Sequence, residues 1–528
     1  MKRMKKLTCL VLSIMMLLPL IAACGGAKAS AAPAAPAAPG APAAPAAPAA
    51  PAKDTITFAY VAEASTLSIT GQNEIGASYI CRMIYSGLFK NTANGIVNDL
   101  CTEYHTEKDE NGVESIWVFK LREGVKFSDG SALTADDVVD SLTFAHDQTI
   151  VKSLTTFFTK VEKVDDYTVK LYTDGVYATV PYALSNTACF IVPSELLASG
   201  HDFGNNPIGS GPYKLVKWNK GENLLLTANE NYYGNAPAIK NVNWKIIAEG
   251  TSRTLALESG EADFIIDVAT LDINRIKDNS KFALDISNGS MFTYLLLQRA
   301  KEPFNDINFR KFLAAAINRD DVVSVAVDGY GTGLNACINV NIDGSTDENA
   351  TTYNPDKAKE YLAAWGGDPA SVNFELLATN DIRRRVAENI QNSLKMYGIN
   401  CTVSNVESAT GSSLARAGDF EAMVFAYTTD DFATYAKNLY YVSDSAAAAN
   451  KWRMDGDDSL NPLLDEIFAT TDTAKRKTLI TEFTAKLNEK QPVVPLYCNR
   501  NLIAYDKGLS GVEVSPRGYF YVENFSWN

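Results

Sequence analysis

The chain has 528 residues, 46% of them hydrophobic, and a formal net charge of −14 at pH 7. This length is enough for two or three domains with sizeable cores, and an acidic charge without a basic patch argues against nucleic acid as a partner. With three widely spaced histidines and no CxxC, HExxH, GxSxG or Walker A motif, the sequence favours neither an enzyme nor a protein with a bound metal or cofactor.

The first 23 residues are typical of an exported bacterial protein. A basic start, "MKRMKK", precedes an apolar run, Leu7 to Leu20, which is shorter than the about 20 residues of a membrane-spanning helix. Ile21-Ala22-Ala23-Cys24 resembles the bacterial lipobox, whose cysteine is lipidated and becomes the new N-terminus. We expect a signal peptide over residues 1–23 and an acylated Cys24 that anchors the chain in the lipid membrane after export, on the outer face of the cytoplasmic membrane or in the periplasm. An uncleaved anchor helix is the alternative.

Residues 24–53 form an Ala/Pro-rich linker. Proline at every third position fixes φ and removes N–H donors, so we expect neither helix nor sheet there. Such chains favour extended polyproline II at about 3.1 Å per residue. The linker is therefore expected to be a spacer between membrane and body, rather than a tail without a role.

The first part of the body contains two predicted strands and two stretches that imitate ligand motifs. The strands, Thr55 to Val61 and Trp117 to Arg122, are rich in β-branched and aromatic residues. "SDGSALTADDVVDSL" lacks calcium-loop spacing, and its Thr134 and Asp137 fit a helix start. "NPIGSGPYKLVKW" lacks the helix of a phosphate loop, and its two glycines fit a tight turn into a strand at Tyr213 to Trp218.

The later part of the body alternates helices and strands, which predicts an α/β fold. A hairpin-like turn is expected at Asn219 to Glu222. Asn354 as cap, Pro355 in the first turn and Gly366 past the end delimit one helix. A second helix carries the apolar stripe Val386, Ile390, Leu394 and Tyr397 and stops at Gly398, before the strands "CTVSNV" and "FEAMVFAYTTDD".

Six cysteines remain in the body: Cys81, Cys101, Cys189, Cys337, Cys401 and Cys498. Export permits disulfides, but the spacing gives no pairing. Buried free thiols are the alternative.

Five blocks of the body occur in an order that is specific to one family. They are "FKLREGVKFSDGSALTADDVVDSLTFA", "NPIGSGPYKLVKWNKGENLLLTANENYYGNAPAI", "ALESGEADF", "PFNDINFRKFLAAAINRDDVV" and "YNPDKAKEYLAAWG". Together they resemble the extracellular solute-binding proteins of family 5 of bacterial ABC importers, which include oligopeptide- and dipeptide-binding proteins.

The resemblance implies a two-lobed periplasmic-binding-protein-like clamp (type II) with a discontinuous first lobe. Lobe I is expected from residues 54–75, 206–291 and 495–528, with a subdomain of residues 76–205 packed on it. Lobe II is expected from residues 292–494. Such a protein, a monomer without catalytic activity, captures a peptide ligand in the cleft between the lobes and delivers it to the permease subunits of the transporter.

The resemblance also implies a set of ligand-binding residues. The family's ligand-anchoring aspartate matches Asp430, at the end of Ala426-Tyr427-Thr428-Thr429-Asp430. In a strand, Ala426, Thr428 and Asp430 share one face, so the backbone there could pair with a peptide and Asp430 could bind its ammonium. The alternative is that Asp430 or Asp431 only caps the next helix. Glu63 corresponds to the opposite cleft wall, with a solvated loop charge as its alternative.

Several departures from the family pattern lie near the cleft. Leu67-Ser68-Ile69 replaces Leu-Asp-Pro, Ala-Tyr replaces Gly-Trp, and the Asp-Pro after the anchoring aspartate is missing. They concern the ligand rather than the fold. An oligosaccharide or other small solute is the first alternative, with Tyr427, Tyr435, Tyr440 and Tyr441 as candidate aromatic walls. A surface lipoprotein without a cleft and an exported hydrolase are the others.

Overall fold

The computed structural model describes residues 53–429, 431–442 and 457–528 of the chain. The expected signal peptide, Cys24, the linker up to residue 52 and Asp430 lie outside the described residues. No helix within the described ranges is long and apolar enough to cross a membrane.

The strands of the described ranges are numbered in chain order. They are β1 (Thr55–Tyr60), β2 (Phe89–Thr92), β3 (Gly95–Asn98), β4 (Cys101–Glu107), β5 (Ile116–Leu121), β6 (Phe158–Asp165), β7 (Thr168–Thr173), β8 (Tyr213–Asn219), β9 (Asn223–Ala228), β10 (Asn241–Ile246), β11 (Phe264–Ile266), β12 (Phe282–Leu297), β13 (Gly331–Gly333), β14 (Asn373–Ala378), β15 (Asn400–Asn405), β16 (Ala422–Thr428), β17 (Val494–Asp506), β18 (Leu509–Ser510) and β19 (Ser526–Trp527).

The α-helices are numbered in the same way. They are α1 (Ile75–Ile84), α2 (Ala135–Asp147), α3 (Lys152–Thr155), α4 (Val180–Leu184), α5 (Ser194–Ala198), α6 (Gly250–Ser259), α7 (Ile273–Lys277), α8 (Ile307–Ala316), α9 (Arg319–Val327), α10 (Pro355–Trp365), α11 (Asp381–Lys395), α12 (Ser408–Ala417), α13 (Phe432–Leu439), α14 (Asn461–Ala469) and α15 (Thr473–Lys490). Short 3-10 helices occur at Thr187–Cys189, Thr270–Asp272, Pro369–Ser371 and Val522–Asn524.

The largest sheet has eleven strands in the order β15-β14-β16-β12-β17-β11-β1-β10-β9-β8, and β13 pairs with β17 beside this path. β1 is parallel to β10 and β11, and β14 is parallel to β15 and β16. Parallel strands joined through helices define an α/β architecture. The predicted fold class is therefore confirmed.

The long strands β12 and β17 connect the two ends of this sheet. Phe282 to Asn288 of β12 pair with Arg500 to Asp506, next to β11, whereas the later part of β12 pairs with β16 on its other side. The pairing of β12 with β17 shifts register after Asn288 and resumes at Phe292. Three residues of β12, at positions 289–291, therefore lie opposite a single residue of β17, Asn499. This is a β-bulge between the two parts of the β12–β17 pairing.

A second, antiparallel sheet forms within the chain segment between β1 and β8. Its strand order is β4-β5-β7-β6, and α2 packs beside β6 and β7. As predicted, α2 begins after Thr134, whose backbone N–H donates to the Asp137 carboxylate (2.8 Å). This acidic residue in the first turn also suits the helix dipole.

Buried apolar side chains form separate clusters. One surrounds β1, β10 and the C-terminal segment, and another lies against the four-stranded sheet. Two more lie on opposite faces of the sheet around β12 and β16. Leu295 and Leu297 belong to one of these, and Tyr294 and Leu296 to the other, because successive strand residues point to opposite faces. The predicted domain boundaries stay a prediction.

The local signals of the later body correspond to the observed helices. α10 starts after Asn354, whose side chain accepts hydrogen bonds from the backbone N–H groups of Asp356 and Lys357, and it ends at Gly366 with φ +77°. α11 ends shortly before Gly398, which has φ +79°. Both glycines adopt the left-handed conformation that ends many helices.

The strand and hairpin predicted around residues 213–229 are confirmed as β8 and β9, but two glycines before them have a further role. A Cβ on Gly209 would lie 2.3 Å from the backbone oxygen of Ile84, and one on Gly211 would lie 2.6 Å from its carbonyl carbon. The Gly211 N–H donates to this oxygen (2.9 Å). Glycine is needed here because the backbone at the end of α1 comes so close.

The six body cysteines, all within the described ranges, are free and buried. The structure therefore contains buried free thiols, and not disulfides, at these six positions. Burial raises the pKa of Cys81, Cys189 and Cys337 to about 12, so these thiols stay protonated at neutral pH.

Candidate ligand-binding cavity

A cavity of about 690 Å³ lies between three parts of the body. One wall comes from α1 and the C-terminal segment, a second from the chain around α3 and α4, and a third from the end of β16 with α13. Its volume falls within the range of about 300–1,000 Å³ that is typical of ligand pockets. This cavity is the candidate functional site.

The first wall is built around Arg82, in the last turn of α1. The Arg82 side chain is only 4% exposed, and its guanidinium carbon lies 3.8 Å from the centre of the Tyr519 ring. Arg517 approaches the same ring at 5.7 Å. Arg82 Nη2 donates to the backbone oxygen of Ser185 (3.1 Å), which ties α1 to the second wall.

The third wall is fixed by hydrogen bonds between the end of β16 and the start of α13. The Thr429 N–H donates to the backbone oxygen of Ser290 in β12 (3.3 Å), and the Thr429 hydroxyl accepts from the Asp431 N–H (3.0 Å). The Asp431 carboxylate accepts from the Thr434 N–H (2.7 Å) and caps α13. Thr429 and Thr434 both line the cavity.

The structure brings only some of the predicted site residues to the cavity. Tyr427 and Thr428 line it, whereas Ala426 and Glu63 are not among the described lining residues. The Glu63 carboxylate instead accepts hydrogen bonds from Trp218 Nε1 (2.8 Å) and the Gly221 N–H (3.0 Å), so it holds the β8–β9 hairpin. Asp430 lies outside the described residues. Asp431 caps α13, which is the alternative role given above for Asp430 or Asp431.

One edge of β16 is partly open beside the cavity. β12 pairs with β16 along its whole length, from Ala422 to Thr428, but the pairing with β14 involves only Ala422 and Met423. In the described part of the chain, residues 424–428 therefore have a strand partner on one side. An open strand edge can accept an extended peptide.

The tyrosines considered for an aromatic wall are mostly part of a core. Tyr435 and Tyr440 are buried, and both hydroxyls donate to the backbone oxygen of Cys337. The Tyr441 hydroxyl donates to Asp465 (2.9 Å). Of these four tyrosines, Tyr427 lines the cavity, where it is joined by residues such as Phe157 and Tyr177 of the second wall.

The second and third walls touch at one side of the cavity. The Ala178 N–H donates to the backbone oxygen of Phe468 in α14 (3.3 Å). Lys437 Nζ of α13 lies 4.5 Å from the centre of the Tyr177 ring and 5.1 Å from that of Phe468. The cavity is therefore bridged here by direct protein contacts.

The described lining carries more positive than negative charge. Its charged side chains are three cations, Arg82, Arg517 and Lys437, and one carboxylate, Asp174. Burial lowers the pKa of Lys437. Burial also opposes ionisation of the Tyr519 hydroxyl, yet the charges of Arg517 and Arg82 outweigh it and lower the Tyr519 pKa. The first wall, which contains Arg82, Arg517 and Tyr519, therefore favours negative charge.

The sequence predictions did not include these three cations. Arg82 left a signal, because it is the one charged residue in the apolar stretch "ASYICRMIY", and a charge on the buried face of a helix is uncommon. Arg517 and Lys437 left none, since a basic residue in a loop or short helix is ordinary.

The histidines lie apart from the cavity lining. His105 is near Glu107 (3.6 Å), while His146 and His201 contact the backbone oxygens of Thr155 and Asn206. Within the described ranges, no three or more His, Cys, Asp or Glu side chains are grouped so that they could hold a metal ion.

Comparison with known proteins places this geometry in context. The family model described as bacterial extracellular solute-binding proteins, family 5 Middle, matches residues 95–449. The chain is 27% identical over 468 residues to the glutathione-binding protein GsiB of Pectobacterium atrosepticum, covering 86% of this chain and 90% of that protein. It is 28% identical over 436 residues to the probable D,D-dipeptide-binding periplasmic protein DdpA of Escherichia coli, with coverages of 80% and 83%.

The fold is shared with solved structures. That of HbpA2 from Haemophilus parasuis matches with a TM-score of 0.80 at 23% identity, covering 90% of this chain and 100% of that one. The architecture is that of a two-lobed periplasmic binding protein with α/β lobes, as the sequence predicts.

Proposed function

Because this chain belongs to the bacterial extracellular solute-binding proteins of family 5, we propose that it is the peptide receptor of an ABC importer. The cavity enclosed by three walls carries the proposal, because it offers a bound ligand contacts from distant parts of the chain. The receptor captures a peptide there and delivers it to the permease subunits without a catalytic step. GsiB and DdpA, named for glutathione and for D,D-dipeptides, support a short peptide as ligand.

The open edge of β16 is the proposed docking edge for the peptide backbone. Thr428, at its end, is exposed and lines the cavity together with Tyr427. Main-chain hydrogen bonds to a strand edge give affinity without selecting side chains. We propose Asp430 as the partner of the peptide ammonium, as the family resemblance implies, and Ala426 as part of the strand that precedes it.

We also propose where the receptor works. The acylated Cys24 anchors it to the membrane surface after export, and the Ala/Pro-rich linker keeps the folded body at a distance. The body is a monomer with the predicted lobes I and II and the inserted subdomain of residues 76–205.

An oligosaccharide remains the alternative ligand. The aromatic rings of Phe157, Tyr177 and Tyr427 in the lining favour it, because sugars pack on such rings. The buried Arg82 guanidinium in the lining favours a peptide, since a peptide offers it a carboxylate and a neutral sugar does not.

Native mass spectrometry of the full chain, purified from its own cells, tests the proposal. We expect a retained ligand whose fragments are amino acids, and whose loss accompanies Tyr427→Ala. Tyr441→Ala is the matched control, since its hydroxyl bonds to Asp465 and Tyr441 is not among the described lining residues. A carbohydrate mass would support the alternative. A ligand-free chain that also gives no heat on titration with short peptides would contradict the proposal.

A further inference from the structure

The inference begins from an incomplete set of contacts around Arg82. Of its nitrogens, Nη2 donates to the Ser185 oxygen, whereas Nε and Nη1 are buried and have no hydrogen-bond partner among the described residues. None of the described ion pairs includes Arg82. An arginine that is 96% buried normally has its charge compensated, because an unpaired charge away from water costs several kcal/mol.

The position of Arg82 explains what could complete this set. It lies on the cavity wall, and the Tyr519 ring and the more distant Phe190 ring (5.4 Å) hold the guanidinium in place. Arg517 adds a second positive charge beside the same tyrosine. Two arginines near one aromatic ring give this wall a positive charge, and the planar guanidinium suits the geometry of a carboxylate.

The charge across the cavity points to the same ligand chemistry. Lys437 stands on the third wall, where the charges of Asp174, Asp431 and Asp465 act on it. The chain as a whole has a net charge of −14, so a cationic lining is contrary to its average composition. A ligand of net negative charge would be attracted to the Arg82 side of this lining.

We propose that Arg82 binds a carboxylate of the ligand, and that the preferred ligands are short peptides of net negative charge. This inference rests on the proposed peptide-binding function and specifies its substrate class. The carboxylate comes from the peptide C-terminus or from an acidic side chain. The guanidinium of Arg82 donates to it, and Arg517 adds electrostatic attraction.

Isothermal titration of the full chain tests this inference, after any retained ligand has been removed in denaturant and the chain refolded. The probes are Ala-Glu-Ala, Ala-Gln-Ala and their C-terminal amides. We expect the affinity to fall at least tenfold, about 1.4 kcal/mol, when the recognised carboxylate is removed. A fall with the amides identifies the C-terminus as the bound group, and a fall with glutamine identifies the side chain.

Arg82→Met should abolish this discrimination, so that peptides with and without the recognised carboxylate bind within about threefold of each other. Its melting temperature should change little, because the removal of a buried charge offsets the loss of the Ser185 hydrogen bond and of the Tyr519 contact. Arg122→Met is the matched control: Arg122 also lies over an aromatic ring (Tyr233, 5.4 Å) and donates to one backbone oxygen, but is not among the described lining residues. The control should keep the full discrimination.

The possible outcomes separate the two proposals. If the wild-type chain binds all four probes equally well, or if Arg82→Met keeps the discrimination, the inference is wrong and peptide binding stands. If none of the four probes binds, both proposals fail. The ratio of two affinities does not depend on the folded fraction, so a partly unfolded variant still gives an answer.

Discussion

Thr429 and Asp431 fix the connection between β16 and α13 through three hydrogen bonds. Neither side chain depends on a ligand for these contacts. Asp430, between them in the sequence, is the residue for which the family resemblance implies a ligand role. The two adjacent aspartates therefore allow a test in which one is expected to bind the ligand and the other to support the backbone.

Asp430→Asn should weaken peptide binding by about 2–5 kcal/mol if the carboxylate is the partner of a buried ammonium. Asp431→Asn should leave both affinity and stability nearly unchanged, because asparagine caps helices about as well as aspartate. Calorimetric titration of both variants with the same peptide measures the difference. An Asp430→Asn variant with wild-type affinity would exclude Asp430 as the ammonium partner.

At the scale of elements, the bulge in β12 has its own supporting side chains. Asn499 Oδ1 accepts from the Met291 N–H (3.0 Å), and Asn341 Nδ2 donates to the backbone oxygen of Gly289 (2.7 Å). A Cβ on Gly289 would lie 2.4 Å from Asn499 Oδ1. The crossing of β12 and β17 is thus held in one shape by two asparagines and a glycine.

Asn499→Ala should lower the free energy of unfolding by about 1–2 kcal/mol, because the Met291 N–H loses its acceptor. Asn499→Asp keeps that acceptor and should retain most of the stability. Urea denaturation of the three proteins measures the difference. Equal losses in both variants would show that the acceptor at this position does not stabilise the bulge.

Elements with local signals could be predicted from the sequence, and contacts between distant segments could not. The cap, proline and terminal glycine of α10 all lie within thirteen residues, so their physics is local. The role of Glu63 depends on a hairpin more than 150 residues away. The cavity position of Arg82 depends on Ser185 and Tyr519. These separations explain why the fold was predicted better than the site.

At the scale of the whole molecule, the cavity is closed by contacts between segments that are distant in the sequence. The position of Lys437 over Tyr177 links its second and third walls, and the Ala178–Phe468 hydrogen bond joins the second wall to α14. A ligand that touches both walls could decide whether they stay together. Hinge motion about strands that connect two lobes is a common form of ligand-driven closure.

Small-angle X-ray scattering of the full chain, with and without a bound peptide, should therefore show a smaller radius of gyration in the bound state. The linker is the same in both samples, so it does not produce the difference. Scattering with a non-binding sugar serves as the control. Superimposable curves with and without the peptide would contradict closure around the ligand.

The six buried, unpaired cysteines have a practical consequence. Folding of the described body does not depend on an oxidising compartment, so the cytosol of an expression host is a suitable place to produce it. A single cysteine introduced at the rim of the cavity would be the accessible thiol among the described residues. A fluorescent dye attached there would convert the protein into a reagentless sensor for its own ligand.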